Sequence, residues 1–135
     1  MTNTPDPLDL GLFSVSLKVA DLDASLAFYA ALGFRELGGE GQWRIIGNGS
    51  TKLGLFADHL ESNILTFNPG MAQDIEPDGD GLPDPLPDFT DVREIERRIT
   101  DAGIELMKGT ETDSGPDHIV LTDPDGNVVM IDQFY

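Results

Sequence analysis

The chain contains no cysteine. That excludes a disulfide framework, thiolate metal ligation and a cysteine nucleophile. Basic residues are scarce: 8 Lys and Arg stand against 25 Asp and Glu, a formal charge of −17. A surface of that sign repels phosphate backbones and anionic bilayers, so neither nucleic acid nor a membrane surface is an expected partner. The acidity suits a cationic ligand and equally suits plain solubility. No apolar run approaches the roughly 20 residues of a membrane helix. Residues 1–9 lack the basic and apolar regions of a signal peptide. A cytoplasmic protein is expected. Chemistry-bearing side chains are few: His59 and His118 are the only histidines, and Trp43 is the only tryptophan.

What is present is ample for one compact domain over residues 1–135, with 39% hydrophobic residues to form a core. Residues 13–19 alternate, with Phe13, Val15, Leu17 and Val19 on one face and Ser14, Ser16 and Lys18 on the other, a half-buried strand. A helix follows. Asp21 caps it, Leu22, Leu26, Tyr29 and Leu32 recur at helical spacing, and Gly33 stops it. Short strands are then predicted near 34–37, 43–46 and 52–57, with Gly38-Gly39 and Gly47-Asn48-Gly49 as the turns.

The order then repeats. Residues 63–68 read as a strand and 91–102 as a helix with Val92, Ile95 and Ile99 on one face and Gly103 at its end. Strands near 104–108, 118–122 and 128–134 complete the second unit, the last two joined by Pro124-Asp125-Gly126-Asn127. The expected class is therefore α+β: two tandem βαβββ modules, about 11–58 and 62–135, forming a cupped mixed sheet with helices on its outer face. Residues 69–89 are rich in Pro, Gly and Asp and read as a long solvated loop. Within it, Asp74, Glu76, Asp78 and Asp80 fall at the odd positions of a calcium loop with Gly79 at the sixth. Pro85 stands where a bidentate glutamate is needed, so a solvated acidic loop is the preferred reading over weak calcium binding.

Val19-Ala20-Asp21-Leu22-Asp23-Ala24-Ser25, then Phe28-Tyr29 and Leu32-Gly33-Phe34, resembles the first strand-helix unit of the vicinal-oxygen-chelate superfamily, the glyoxalase and bleomycin-resistance fold. Asp123-Pro124-Asp125-Gly126-Asn127 resembles that family's last hairpin. The likeness spans nearly the whole chain outside the 69–89 loop. It implies a divalent-metal site built from His, Glu or Gln on the first and last strands of each module. Carried over, those positions are Ser14, Gly54, Ile64 and Met130. None of the four suits Mg, Mn, Fe or Zn, so no metal and no other cofactor is expected.

Alternation gives the cup-facing set. Ser14, Ser16 and Lys18 come from the first strand, and Lys52, Gly54 and Phe56 from the fourth. Ile64, Thr66 and Asn68 come from the fifth, and His118, Val120, Val128, Met130 and Asp132 from the last two. Trp43 is a further candidate whose face alternation leaves open. The mixture is that of a small-molecule pocket. The primary expectation is a protein that binds a small organic ligand in its cup without a catalytic metal. By resemblance to bleomycin-resistance proteins, it would be a homodimer sequestering a cationic drug. The alternative is a glyoxalase-type lyase or isomerase, like lactoylglutathione lyase, acting on a small carbonyl or thioether substrate through His118 and Asp132. A second alternative is a non-catalytic regulatory or interaction dimer.

Overall fold

The computed structural model describes residues 8–74 and 83–135. Its elements run β1 (Leu12–Lys18), α1 (Leu22–Ala31), β2 (Arg35–Glu40), β3 (Trp43–Asn48), β4 (Thr51–Phe56), β5 (Ile64–Asn68), α2 (Val92–Asp101), β6 (Asp117–Thr122) and β7 (Val128–Gln133). The strands form one open mixed sheet in the order β2-β3-β4-β1-β5-β7-β6. β1 runs parallel to β4, and β5 parallel to β7. The two halves meet where β1 pairs antiparallel with β5. Among the described residues no helix is long and apolar enough to cross a membrane.

Both helices start where the sequence puts an aspartate. Asp21 accepts from the Ala24 N–H at 3.1 Å, and Asp91 from the Arg93 N–H at 2.9 Å. Gly33 and Gly103, at φ +97° and +86°, end the two helical segments in the left-handed region. Each helix closes its own core on the same face of the sheet. Under α1, Leu22 packs with Ile46 and Leu55. Under α2, Val92 and Ile95 pack with Ile119 and Ile131. All four of the latter are at most 1% exposed, worth about 1.5–3 kcal/mol each on transfer grounds.

Three sequence expectations are corrected. The strand expected near 104–108 is reduced to a single bridge between Lys108 and Val120. Just beyond it Thr110 is bound to α2 instead, its N–H and hydroxyl both donating to the Glu96 carboxylate at 2.8 and 2.7 Å. Gly38-Gly39 is not a turn. β2 continues through both, with a register shift between Glu36 and Gly38, and the chain reverses at residues 41–42. Gly39 sits at φ +121°, and a Cβ there would lie 2.5 Å from the Trp43 carbonyl oxygen. The 69–89 segment is not solvated throughout, since Pro69, Gly70 and Met71 are buried. Gly70 accepts from the Leu86 N–H at 2.8 Å and lies against the rings of Tyr135 and Phe89. Glu76, Asp78 and Asp80 of the possible calcium loop lie outside the described residues, while Asp74 is exposed.

Candidate functional site

The face opposite the helices is the cup, and strand registers bring its residues side by side. Ser14 pairs with Thr66, Thr66 with Met130, and Met130 with Val120. Ser16 pairs with Gly54 on one side and Ile64 on the other. The positions aligned to the family's metal ligands therefore do converge on the middle of the sheet. Their chemistry does not fit a divalent ion: one hydroxyl, two positions without a donor, and a thioether. Among the described residues no group of three or more His, Cys, Asp or Glu is placed to hold one. Gly54 is sterically occupied as well. A Cβ there would stand 2.8 Å from Cε2 of Phe56 and 3.3 Å from Cδ1 of Ile45.

The register also settles the face of Trp43. It pairs with Phe56, and the two rings lie nearly parallel, with centroids 6.0 Å apart and an interplanar angle of 10°. Both are half-buried. Phe56 pairs in turn with Lys18, which is exposed. Together the two rings make an aromatic wall, with Lys18 beside it in register on the same face. Sequence reasoning left Ile45 unassigned, because Arg44-Ile45-Ile46 is amphipathic on neither face; its pairing with Gly54 puts it on the cup side.

The floor carries polar groups that burial makes significant. Ser14, Ser16, Thr66 and Asn68 are each 4–7% exposed. The hydroxyls of Ser16 and Thr66 are 2.9 Å apart and bonded to each other. Asn68 Nδ2 donates to the Asp132 carbonyl oxygen at 2.9 Å. Lys52 is buried too, and its ammonium donates to the Gly49 carbonyl oxygen at the β3–β4 turn. Burial holds its pKa below the ordinary lysine value, against the opposing influence of Asp74.

At the far end His118 and Asp132 are register partners on β6 and β7. Burial raises the Asp132 pKa above the usual aspartate value, with the His118 charge acting the other way and Asp117 adding to the rise. His59, by contrast, is exposed on a loop away from the cup. Two contributors escaped the sequence reading. Lys108 reaches the cup edge through its bridge to Val120. Gln73 fastens the 69–74 segment to the start of β1, with Oε1 accepting from the Phe13 N–H at 2.6 Å and Nε2 donating to the carbonyls of Phe13 and Ser50. A lone glutamine in a Pro- and Gly-rich stretch carries no sequence signal for that role. A crevice of about 250 Å³ lies elsewhere, between α1 and β2–β3 on the helix face, lined by Leu26, Tyr29, Phe34 and Ile46 among others. It is a packing gap beside a helix end, remote from the converging polar groups.

No curated protein is significantly similar to this chain in sequence. Solved structures match its fold. The NAD-dependent benzaldehyde dehydrogenase from Legionella pneumophila superposes with TM-score 0.63 at 18% identity, over 91% of this chain and 99% of that one. A glyoxalase/bleomycin resistance protein/dioxygenase superfamily member from Vibrio splendidus 12B01 gives 0.56 at 11% identity, over 90% and 96%. Catechol 2,3-dioxygenase gives 0.53 at 18% identity, this chain covering 39% of its length and aligning over 92% of its own. At such identities these likenesses speak for the fold alone. The family model of the Glyoxalase/Bleomycin resistance protein/Dioxygenase superfamily matches residues 11–131, and the chain belongs to that superfamily.

Proposed function

We propose that this protein binds a small organic ligand in its cup and does so without a catalytic divalent metal. The observation that carries the reading is the middle of the sheet. The converging positions Ser14, Gly54, Ile64 and Met130 offer no divalent-metal donor set, and the Phe56 ring overlies the one that lacks a side chain. Around them stand an aromatic wall and a few buried hydroxyls, a composition suited to holding an amphipathic molecule. The test pairs elemental analysis of protein purified from cells without added metal with a thermal-shift panel of amphipathic metabolites and cationic glycopeptides. A ligand-dependent rise in melting temperature that survives a chelator supports the reading. One Zn, Fe or Mn per chain would overturn it.

A second reading has one observation in its favour. His118 and Asp132 are adjacent across β6 and β7, with the carboxyl held toward its neutral form by burial. A neutral acid beside an imidazole can pass a proton in a lyase or isomerase acting on a small carbonyl or thioether substrate. Turnover of a hemithioacetal that disappears in both His118→Gln and Asp132→Asn supports it. No turnover by the unaltered protein removes it.

A further inference from the structure

We propose that the cup ligand is an organic anion with an aromatic portion, its ring on the Trp43–Phe56 wall and its carboxylate on Lys18; this rests on the ligand-binding reading above. Two observations carry it. First, the two rings are parallel to within 10° and only half-buried, so the wall offers apolar area that nothing in the described chain covers completely. An aromatic ligand gains roughly 0.5–1.5 kcal/mol from such a ring beyond the area it buries.

Second, Lys18 is the pairing neighbour of Phe56 on the same face, and it is exposed with no ion pair among the described residues. Four of the eight Lys and Arg side chains stand in ion pairs, while Arg98, far from the wall on α2, has none among the described residues either. Arg44 pairs with Glu36, Arg93 with Asp91, Arg97 with Glu94 and Asp101, and Lys108 lies 3.8 Å from Glu111. In a chain of net charge −17, a cation left unpaired beside an aromatic wall is a specific feature.

A carboxylate is acceptor-only and suits the Lys18 ammonium. Charges beyond a screening length of about 8 Å are largely damped, whereas a contacting ammonium is not.

Trp43 is the only tryptophan, so its fluorescence reports on the wall directly. The full-length protein is titrated with three probes sharing one phenyl and one linker: 3-phenylpropanoate, 3-phenylpropanol and 3-phenylpropylamine. Isothermal calorimetry checks each result. The expected outcome is saturable quenching by all three, with the propanoate bound about tenfold more tightly than the alcohol and tighter still than the amine. Lys18→Gln should abolish the preference for the anion, weaken propanoate binding far more than alcohol binding, and leave the melting temperature unchanged, since Lys18 is exposed. Equal affinities, or preference for the amine, would overturn the anion assignment while leaving the ligand-binding reading intact. No binding of any probe would overturn the aromatic-anion assignment, and the broader thermal-shift panel then decides the parent reading separately. Loss of alcohol binding along with propanoate binding in Lys18→Gln would also count against it.

Discussion

The Ser16 and Thr66 hydroxyls, 2.9 Å apart on β1 and β5, form a buried side-chain bond across the seam where the two halves of the sheet join. Thr66→Val keeps the shape and leaves the Ser16 hydroxyl without its partner in a site only 5% exposed. An unsatisfied buried hydroxyl costs about 1–3 kcal/mol, whereas replacing both partners is nearly neutral. Urea melts should therefore show Thr66→Val destabilised by that amount and Ser16→Ala/Thr66→Val restored most of the way. A double variant as unstable as the sum of the singles would deny the coupling.

Gln133 is 2% exposed and ties three segments together. Its Oε1 accepts from the Val92 N–H at the start of α2 at 2.7 Å, and its Nε2 donates to Asp91, Gly115 and Tyr135. Gln133→Leu fills the volume and abandons these groups. A loss of about 2 kcal/mol or more is expected from stranded buried polar atoms. Hydrogen exchange should quicken in the first turn of α2 before it does in α1.

The fold was largely legible because its signals are local. Asp21 caps its helix, and Gly33 and Gly103 end theirs, as the sequence implies, while Asp91, read as the first helical residue, proves to be the cap of α2. Residues that failed to declare themselves act through distant partners. Nothing near Ile104 in sequence announces that Glu96 on α2 will take both donors of Thr110. The face of Trp43 needed the register with Phe56, since Ile45 and Ile46 are both apolar. The candidate site was legible as an alternation of side chains. Its closeness was not: the Phe56 ring over Gly54 and the Gln73 clasp on β1 depend on packing between strands that sequence spacing does not encode.

Gly54 supplies a third prediction. An alanine there must displace either the Phe56 ring or the Ile45 methyl, since its Cβ would stand 2.8 and 3.3 Å from them. Overpacking of this kind costs about 1–3 kcal/mol. Gly54→Ala should melt earlier, and the same substitution should cost less in a Phe56→Leu background than in the unaltered protein. Gly54→Glu should not confer zinc binding by equilibrium dialysis, because Ile64 and Met130 still offer no suitable donor.

Asp132 gives the pH prediction, and its sign is opposite to that of the neighbouring Asp117. Hydrogen bonds from the Thr112 hydroxyl and from three backbone N–H groups hold the Asp117 pKa well below the aspartate range. Its stabilisation is therefore present above the unfolded value near 4 and fades as the pH falls through the depressed folded value. Burial instead raises the pKa of Asp132, so the folded state holds that proton more tightly than the unfolded chain. The favourable contribution is then complete below about pH 4 and is lost as the pH rises through the folded value. At neutral pH the buried carboxylate is a net cost that Asp132→Asn removes. Melting temperatures should put Asp132→Asn above the unaltered protein at pH 7, with the gap closing as the pH approaches 4. A gap that widened toward acid would mean that the His118 charge, not burial, governs this carboxyl.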